Sequence, residues 1–192
     1  MLLEARLISI ASSSAWFIDA LRAVQTLQLN SWCIGAGAVR NLVWDELSGK
    51  REPSALADVD VAYFDGTDIS PERDQRLQRE LVALLPDVPW EVTNQAGVHL
   101  WFADYFGHQV EPVNTLIEAV ATWPEYATSV GISINQAGAL EVIAPLGLGD
   151  LFSMTVRHNP ERASVTNYET RIAQKKYRER WPNVTIIEAE PA

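Results

Sequence analysis

The fold is decided by two stretches of sequence, Ile34-Gly35-Ala36-Gly37-Ala38-Val39-Arg40-Asn41 and Asp58-Val59-Asp60-Val61-Ala62-Tyr63-Phe64-Asp65. The first is a turn of small residues that opens into a helical pattern. The second alternates acidic and apolar residues, which predicts a strand, and side chains two residues apart on a strand lie on the same face. We therefore expect Asp58 and Asp60 to project together from this strand.

These two stretches contain the parts of a site for a metal-bound phosphate. Paired carboxylates can hold Mg²⁺, which prefers oxygen ligands and often completes its coordination with substrate phosphates. A glycine turn at the start of a helix can bind phosphate through backbone N–H groups. Both signals also have a structural interpretation. Close packing of a strand against a helix requires small residues, and Asp58 and Asp60 could simply face solvent on an edge strand.

Further motifs accompany the two stretches, and they are Val92-Thr93-Asn94-Gln95-Ala96, His99-Leu100-Trp101, Thr128-Ser129-Val130-Gly131-Ile132, Asp150-Leu151-Phe152-Ser153 and Val156-Arg157-His158-Asn159-Pro160. With them, the chain resembles a bacterial family of small nucleotidyltransferase-like proteins in the polymerase-β-like nucleotidyltransferase superfamily. The resemblance extends from about Trp32 to Trp181. It implies a fold and a reaction type but no particular substrate. The chain departs from the superfamily at Ala36, where a Gly-Gly or Gly-Ser pair is usual, and from the family at Gly97-Val98, where Arg-Met is frequent.

The resemblance also implies a third acidic residue on a later strand. Glu91 is our candidate, because it lies between apolar residues on a predicted strand. Asp58, Asp60 and Glu91 are therefore the predicted catalytic and metal-binding residues, and three carboxylates can hold two Mg²⁺ ions, with Mn²⁺ as an alternative. Asp65 and Asp104 compete with Glu91 for the third position, although Asp65-Gly66 is also a turn signal. Glu91 has the alternative of being an ordinary surface residue.

The candidate nucleotide-binding residues are Gly35, Gly37, Arg40, Asn41, Asn94, Gln95, Arg171 and Lys175. Arg40 follows the glycine turn by one helical turn and can reach a phosphate or pair with Asp58. The amides of Asn94 and Gln95 can contact a base or a hydroxyl, and Trp101 can stack. Turn formation by Asn94 and core packing by Trp101 are the alternatives, and for Trp101 we favour the core.

Arg171, Lys175 and Arg178 recur at helical spacing and predict a basic helix face. Such a face is most often solvated surface, but the uneven distribution of charge along the chain favours a phosphate contact here. The net charge is −10, and residues 80–155 contain nine acids and no Lys or Arg, whereas residues 157–180 contain seven basic residues and three acids. A compact anion such as a metal-bound triphosphate suits this pattern better than nucleic acid, which needs many basic contacts. Arg157 is a similar candidate.

Other classes of protein are disfavoured by what the sequence contains. No stretch has the length of an apolar membrane span, and no secretory signal is visible, so we expect a cytoplasmic protein without a membrane partner. Cys33 is the only cysteine, which excludes a disulfide framework. His99, His108 and His158 lack the spacing of zinc ligands. No Ser lies in a nucleophile elbow.

The hydrophobic pattern predicts a single α+β domain over residues 1–192, with a mixed sheet that carries helices on one face. The core spans about residues 30–110, and a C-terminal extension with a further helix and strand spans about 111–192. Predicted helices cover residues 13–29, 38–47, 71–85, 99–106, 115–120 and 165–180. Predicted strands cover residues 32–34, 59–64, 90–93, 132–135, 139–143 and 184–187, followed by a frayed tail at 188–192.

Together these features predict a magnesium-dependent nucleotidyltransferase. It would transfer a nucleoside monophosphate from a nucleoside triphosphate to a hydroxyl of an unknown acceptor, either a small molecule or a protein side chain. The alternative is a catalytically inactive module of the same fold that binds a nucleotide or a partner. The acceptor, the base preference and the oligomeric state do not follow from the sequence.

Overall fold

The computed structural model describes residues 2–189, which form a central mixed sheet flanked by helices. The helices are α1 (Leu3–Ser13), α2 (Ala15–Gln25), α3 (Ala36–Leu47), α4 (Pro71–Leu84), α5 (Val98–Phe106), α6 (Leu116–Ala121), α7 (Gly149–Phe152), α8 (Val165–Lys175) and α9 (Tyr177–Arg180). The strands are β1 (Trp32–Gly35), β2 (Val59–Tyr63), β3 (Trp90–Asn94), β4 (Gly131–Ile134), β5 (Leu140–Ile143), β6 (Thr155–Val156) and β7 (Thr185–Ile186). The predicted α+β class with a mixed sheet is confirmed.

The main sheet of residues 2–189 has the strand order β3-β2-β1-β4-β5. β1 runs antiparallel to both β2 and β4, and β4 and β5 form the expected hairpin. β3 joins the edge of the sheet parallel to β2, with Asp60 opposite Glu91 in the register. The strands β4 and β5, which lie beyond residue 110, thus belong to the same sheet as the Asp58–Asp60 strand.

The alternating sequences of the strands bury one face of the sheet in the main core. Ile34, Val61 and Val92 point into that core, where α1, α2 and α3 contribute most of the helical side chains. The opposite face is not bare, because Leu116 and Val120 of α6 cover Cys33 and Ala62. The expectation of helices on one face is therefore incomplete. The part of this second face that α6 leaves open carries Asp60 and the other polar side chains of β2 and β3.

The N-terminal helix predicted over residues 13–29 is wrong in its bounds. The helix at this place is α2, which is shorter at both ends, and an unpredicted helix, α1, precedes it; Ser14 in an extended conformation separates the two. Within residues 2–189, no single helix is long and apolar enough to cross a membrane; α1 and α2 reach that length and composition only together, with a bend of 92° between them.

The C-terminal helix predicted over residues 165–180 is interrupted. Lys176 adopts a left-handed conformation with φ of 48°, which ends α8 and lets α9 start in a new direction. The strand predicted at 184–187 forms as β7, but it pairs with β6 in a separate two-stranded parallel sheet. Of the predicted tail at 188–192, residues 190–192 lie outside the described residues.

Candidate functional site

A cleft of about 580 Å³ lies over the open face of β2 and β3, between α5 and α8. Its floor carries Asp58, Asp60 and Glu91. The α8 wall consists of residues spaced three and four apart, so they share one helix face, and they are Asn167, Thr170, Arg171, Gln174 and Lys175. The α5 wall is aromatic, with Trp101, Phe102, Tyr105 and Phe106.

The three predicted carboxylates come together because of the strand register. Asp58 and Asp60 lie two residues apart, and Asp60 is directly opposite Glu91 on the neighbouring parallel strand. Burial, with repulsion from Asp58 and Glu91, raises the pKa of Asp60 to about 7. Burial and two neighbouring carboxylates both disfavour the negative charge of a carboxyl group. Such a group is stabilised either by binding a proton or by a nearby cation.

The donor set fits a hard divalent cation, although the side chains do not surround a ready-made centre. Across residues 2–189, no group of three or more His, Cys, Asp and Glu side chains is close enough to hold a metal ion as placed. The carboxylates nevertheless share one sheet face, and Asp60 lies directly opposite Glu91 in the strand register. The concentration of carboxylate charge at Asp60 supports the fit, since carboxylate oxygens are the ligands that Mg²⁺ prefers.

The glycine turn has a different role at each position. Gly35 does not line the cleft; a Cβ there would lie 2.5 Å from the Trp123 ring, so this glycine serves close packing. Ala36 has φ of 49°, a conformation that glycine adopts without strain, and its N–H donates to Val130 O at 3.1 Å. Gly37 lines the cleft, and a Cβ there would point between Arg40 and Asp58.

Arg40 lies deeper than its predicted role suggests. Its side chain is only 2% exposed and stacks among the rings of Trp44, Tyr177 and Trp181. It donates to Tyr177 Oη at 3.4 Å and to Asn41 Oδ1 at 2.8 Å rather than pairing with Asp58. Burial lowers the pKa of the guanidinium.

Arg40 and Asn41 also line a second cavity of about 380 Å³ that shares Gly37, Asp58 and Lys175 with the main cleft. Both residues carry a buried nitrogen, Nε of Arg40 and Nδ2 of Asn41, that has no hydrogen-bond partner within residues 2–189. Buried donors without partners are rare in native structures and are costly to maintain. The two residues lie beside the N-terminus of α3 and line the cavity, while the two nitrogens themselves are buried behind it.

Glu125, which the sequence analysis missed, holds the basic residues in place. Its carboxylate is 1% exposed and accepts from Arg171 Nε at 3.0 Å and from Tyr177 Oη at 2.7 Å. Burial alone would lower the pKa of Arg171, but attraction to Glu125 outweighs it and raises that pKa. Glu125 follows Pro124 in a loop without periodicity, so no sequence signal marks it. The polar face of α8 with Asn167 and Gln174 was also missed, although its spacing could have revealed it.

The predicted basic face splits between the site and the surface. Arg171 and Lys175 both line the cleft, and Lys175 Nζ lies 4.0 Å from Asp58 Oδ2. Arg178 is exposed and lines neither cavity, although its α9 neighbours Glu179 and Arg180 line the second one. Arg157 is an ion-pair partner of Asp150, with Nε donating to its carboxylate at 2.7 Å, and its guanidinium lies over the Tyr126 ring.

Asn94 is a correction to the predicted nucleotide-binding set. It is 3% exposed, its Nδ2 donates to the carbonyl oxygens of Asp65 and Asp68, and its Oδ1 accepts from the N–H groups of Asp65 and Ala96. These bonds occupy the amide, so Asn94 holds the loop after β2, while its neighbour Gln95 does line the cleft. The competing acids Asp65 and Asp104 do not line it.

Trp101 is a second correction, because core packing was the favoured interpretation for it. The side chain is 38% exposed and lines the cleft, with its ring edge-to-face against Tyr105 at 5.3 Å. Phe102 beneath them is buried and contacts Phe106 at 4.5 Å. The sequence predicts an aromatic helix at this position, but it does not predict which way the helix faces. That orientation depends on α8, which forms the other side of the cleft and lies over sixty residues later in the chain.

Comparisons with known proteins bear on the family and the fold of the chain. Over residues 22–186, the chain matches the profile of a family described as nucleotidyltransferase. A solved NMR structure described as a CCA-adding enzyme head domain is similar with a TM-score of 0.81 and 27% sequence identity, and the match covers 95% of each chain.

Two structures of tRNA-processing enzymes, an apo form and a complex, share the fold with a TM-score of 0.51 each and identities of 16% and 18%. The match covers 88% of this chain but only 42% and 43% of those enzymes. At such identities the likeness shows the fold alone. No curated protein is similar enough to match the chain.

Proposed function

The chain belongs to this nucleotidyltransferase family, and from that premise we propose that it transfers a nucleoside monophosphate from a nucleoside triphosphate to a hydroxyl group in a magnesium-dependent reaction. The observation that carries the proposal is the placement of three carboxylates, Asp58, Asp60 and Glu91, on one sheet face of a cleft whose opposite wall contains Arg171 and Lys175. Acidic and basic groups thus face each other across a space that suits a metal-bound triphosphate.

The nucleotide would lie with its phosphates toward α3 and Lys175. α3 is a helix of twelve residues, and the N-terminus of a helix favours anions. Gly37 supplies space without a side chain, and the adjoining cavity is lined by Arg40 and Asn41 together with Lys175. Lys175 borders both spaces and can therefore neutralise phosphate charge at their junction.

The carboxylates of Asp58, Asp60 and Glu91 would hold two divalent ions, either Mg²⁺ or Mn²⁺, and Glu91 would act mainly at the ion that activates the acceptor hydroxyl. Bound ions of this kind stabilise the attacking and leaving oxygens of an in-line displacement. The acceptor hydroxyl would lose its proton to solvent and form a new P–O bond to the α-phosphorus, and the bond from the α-phosphorus to the bridging oxygen would break, so that pyrophosphate leaves with that oxygen. Arg171, held by Glu125, acts to lower the pKa of Asp60 and so favours the ionised carboxylate that a cation needs.

We propose a small-molecule or protein acceptor rather than a nucleic acid. The similar structures include tRNA-processing enzymes, so RNA is the competing acceptor. However, the chain spans less than half of those enzymes, and residues 80–155, which supply the β3 and α5 side of the cleft, contain no Lys or Arg. Binding of a polyanion would require many basic contacts that this side lacks.

Calorimetry and pyrophosphate release test the proposal at two levels. ATP should bind in the presence of Mg²⁺, and should bind much more weakly when EDTA removes the metal. Pyrophosphate release should appear with one of the four nucleoside triphosphates over a panel of sugar, nucleoside, protein and RNA acceptors. Metal-dependent binding without release under any condition would identify an inactive nucleotide-binding module, and failure of both would refute the proposed site.

The matched control for this test is Asp104→Asn. Asp104 is an exposed acid on α5 that does not line the cleft, whereas Asp60→Asn changes the same chemical group on its floor. Loss of metal-dependent binding in Asp60→Asn but not in Asp104→Asn would assign the effect to the cleft rather than to net charge.

A further inference from the structure

The aromatic wall of the cleft has no role in binding metal or phosphate. Trp101 and Tyr105 lie one helical turn apart on α5, are 38% and 77% exposed, and line the same cleft as the carboxylates. Large aromatic side chains with that exposure at a cleft indicate a ligand surface. Their orientation is supported from below, because Phe102 packs against Phe106 and lies under the Arg162 guanidinium at 5.9 Å.

The cleft changes in character from one end to the other along α8. Lys175 marks the end at α3, and Asn167 marks the other end, where its Nδ2 donates to Phe106 O at 3.3 Å. Eight residues of helix separate the two, which corresponds to about 12 Å. Lys175 and its partner Asp58 therefore lie toward one end, and Phe106 of the aromatic wall lies toward the other, with a length of helix between them that leaves room for a planar ring.

The order of strands decides which reactant lies at the aromatic end. β1 leads into α3, β2 carries Asp58 and Asp60, β3 carries Glu91, and β2 lies between the other two. In an in-line displacement the leaving oxygen and the attacking oxygen lie on opposite sides of the phosphorus. If the leaving pyrophosphate lies toward α3, the attacking hydroxyl comes from the side of β3, where α5 follows.

We propose that Trp101 and Tyr105 form the acceptor subsite and that the acceptor is a small molecule with a planar, uncharged ring attached to the reacting hydroxyl, of the type found in a nucleoside. This inference rests on the proposed function, since it uses the position assigned to the triphosphate. Stacking on an aromatic side chain tolerates any such ring. Gln95 lines the same part of the cleft and carries an amide that can contact the ring edge.

The charge of this end argues against larger occupants. Arg162 is the single basic residue among the cleft-lining residues of the structure's described part that lies away from Arg171 and Lys175, and burial lowers its pKa. Its guanidinium also donates to the Glu111 carbonyl. A nucleic acid strand leaving the cleft here would meet acids such as Asp104 and Glu111 rather than phosphate-binding groups, and this favours a compact acceptor.

The test compares nucleosides with ribose as probes. Binding of adenosine, guanosine, cytidine and uridine is measured by titration calorimetry in the presence of Mg²⁺ and a non-hydrolysable ATP analogue. At least one nucleoside should bind, and ribose, which has the hydroxyls without the ring, should not. Trp101→Leu and Tyr105→Leu should each lower the affinity for that nucleoside by about tenfold, as expected for the loss of one stacking contact. Trp101→Phe should restore most of the affinity.

Leu100→Ala is the control, because Leu100 is 62% exposed on the same helix and does not line the cleft. The ATP analogue should bind all of these variants with unchanged affinity. Weakened binding of the analogue in Trp101→Leu would overturn the inference and assign the wall to the donor base. Binding of no nucleoside, or equal loss in Leu100→Ala, would also overturn it. Failure of the analogue to bind the wild-type protein would instead refute the proposed function itself.

Discussion

Lys175 on α8 and Asp58 at the start of β2 face each other across the cleft, with Nζ 4.0 Å from Oδ2. Both side chains are about one-third exposed or less, so the pair lies at the border of the cleft rather than in the core. The contact joins the helix that carries the basic residues to the strand that carries the acids. A cation and a phosphate that enter together would replace this single pair by two separate ones, Asp58 with the metal and Lys175 with the phosphate.

This relationship predicts that Lys175→Gln weakens ATP binding while Arg178→Gln does not. Lys175 lines both cavities, whereas Arg178 is exposed beyond the break in the helix. Loss of one charge-assisted contact should lower ATP affinity by roughly tenfold. Calorimetry across a salt series should show a shallow dependence, since few phosphates are contacted. Equal effects of the two substitutions, or steeply salt-dependent binding of single-stranded RNA that Lys175→Gln abolishes, would contradict the assignment.

Asp58→Asn and Asp60→Asn should each abolish Mg²⁺-dependent nucleotide binding and leave the fold intact. Both substitutions remove charge at nearly constant volume. Asp60→Asn should also raise the thermal midpoint of the metal-free protein, because it removes repulsion from Asp58 and Glu91 at a partly buried position. Thermal unfolding and calorimetry on the same samples separate the two effects. Retained metal-dependent binding in both variants would refute the metal site.

Glu91→Gln should lower turnover more than it lowers nucleotide binding. Glu91 lies opposite Asp60 on the side of the sheet that we assign to the acceptor, so the ion that accompanies the nucleotide keeps Asp58 and Asp60 as ligands. Pyrophosphate release and the affinity for ATP are measured side by side. Normal turnover would move the third ligand elsewhere, and parallel losses of binding and turnover would place Glu91 at the nucleotide instead.

The parts of the site that could be predicted are those that depend on local sequence. Alternation along one strand predicts that Asp58 and Asp60 lie on one sheet face, whereas the position of Glu91 on that same face also depends on the pairing of β3 with β2. The glycine turn likewise predicts the start of α3 beside the carboxylates. In the structure, Gly35 packs against Trp123 and only Gly37 lines the cleft.

The parts that could not be predicted depend on partners far away in the chain. Arg40 is withdrawn from the cleft by Tyr177, 137 residues later, and Asn94 is occupied by Asp65, 29 residues earlier. No window of sequence contains both members of either pair. The fold shows the same limit, since Lys176 interrupts the helix predicted over residues 165–180, and α1 ahead of Ser14 was not predicted.

Glu125→Gln should destabilise the protein by about 3 kcal/mol or more, because it leaves Arg40 and Arg171 without their shared buried counter-charge. Tyr177→Phe should cost less, about 1 kcal/mol, since only the hydroxyl contacts are lost. Urea unfolding measures both. Glu169→Gln, an exposed acid on α8, is the matched control and should change little. A Glu125→Gln variant as stable as that control would show that the buried cluster contributes nothing to folding.

Gly37→Ala should affect nucleotide affinity without lowering the stability of the fold. A Cβ at this position would lie 3.7 Å from Arg40 Nη2 and 3.8 Å from Asp58 Oδ1, which are ordinary contact distances, so nothing has to move. Alanine is the better helix former by roughly 0.5 to 1 kcal/mol, and we expect the thermal midpoint to stay the same or rise. The added methyl group nevertheless occupies the border shared by the two cavities, where we place the triphosphate. Nucleotide affinity should therefore fall by about tenfold.

Gly66→Ala is the control, because a Cβ there meets nothing within 4 Å and the residue lies in an exposed turn. Unchanged affinity in Gly37→Ala would mean that phosphate does not approach the start of α3, and the orientation proposed for the nucleotide would have to be reversed.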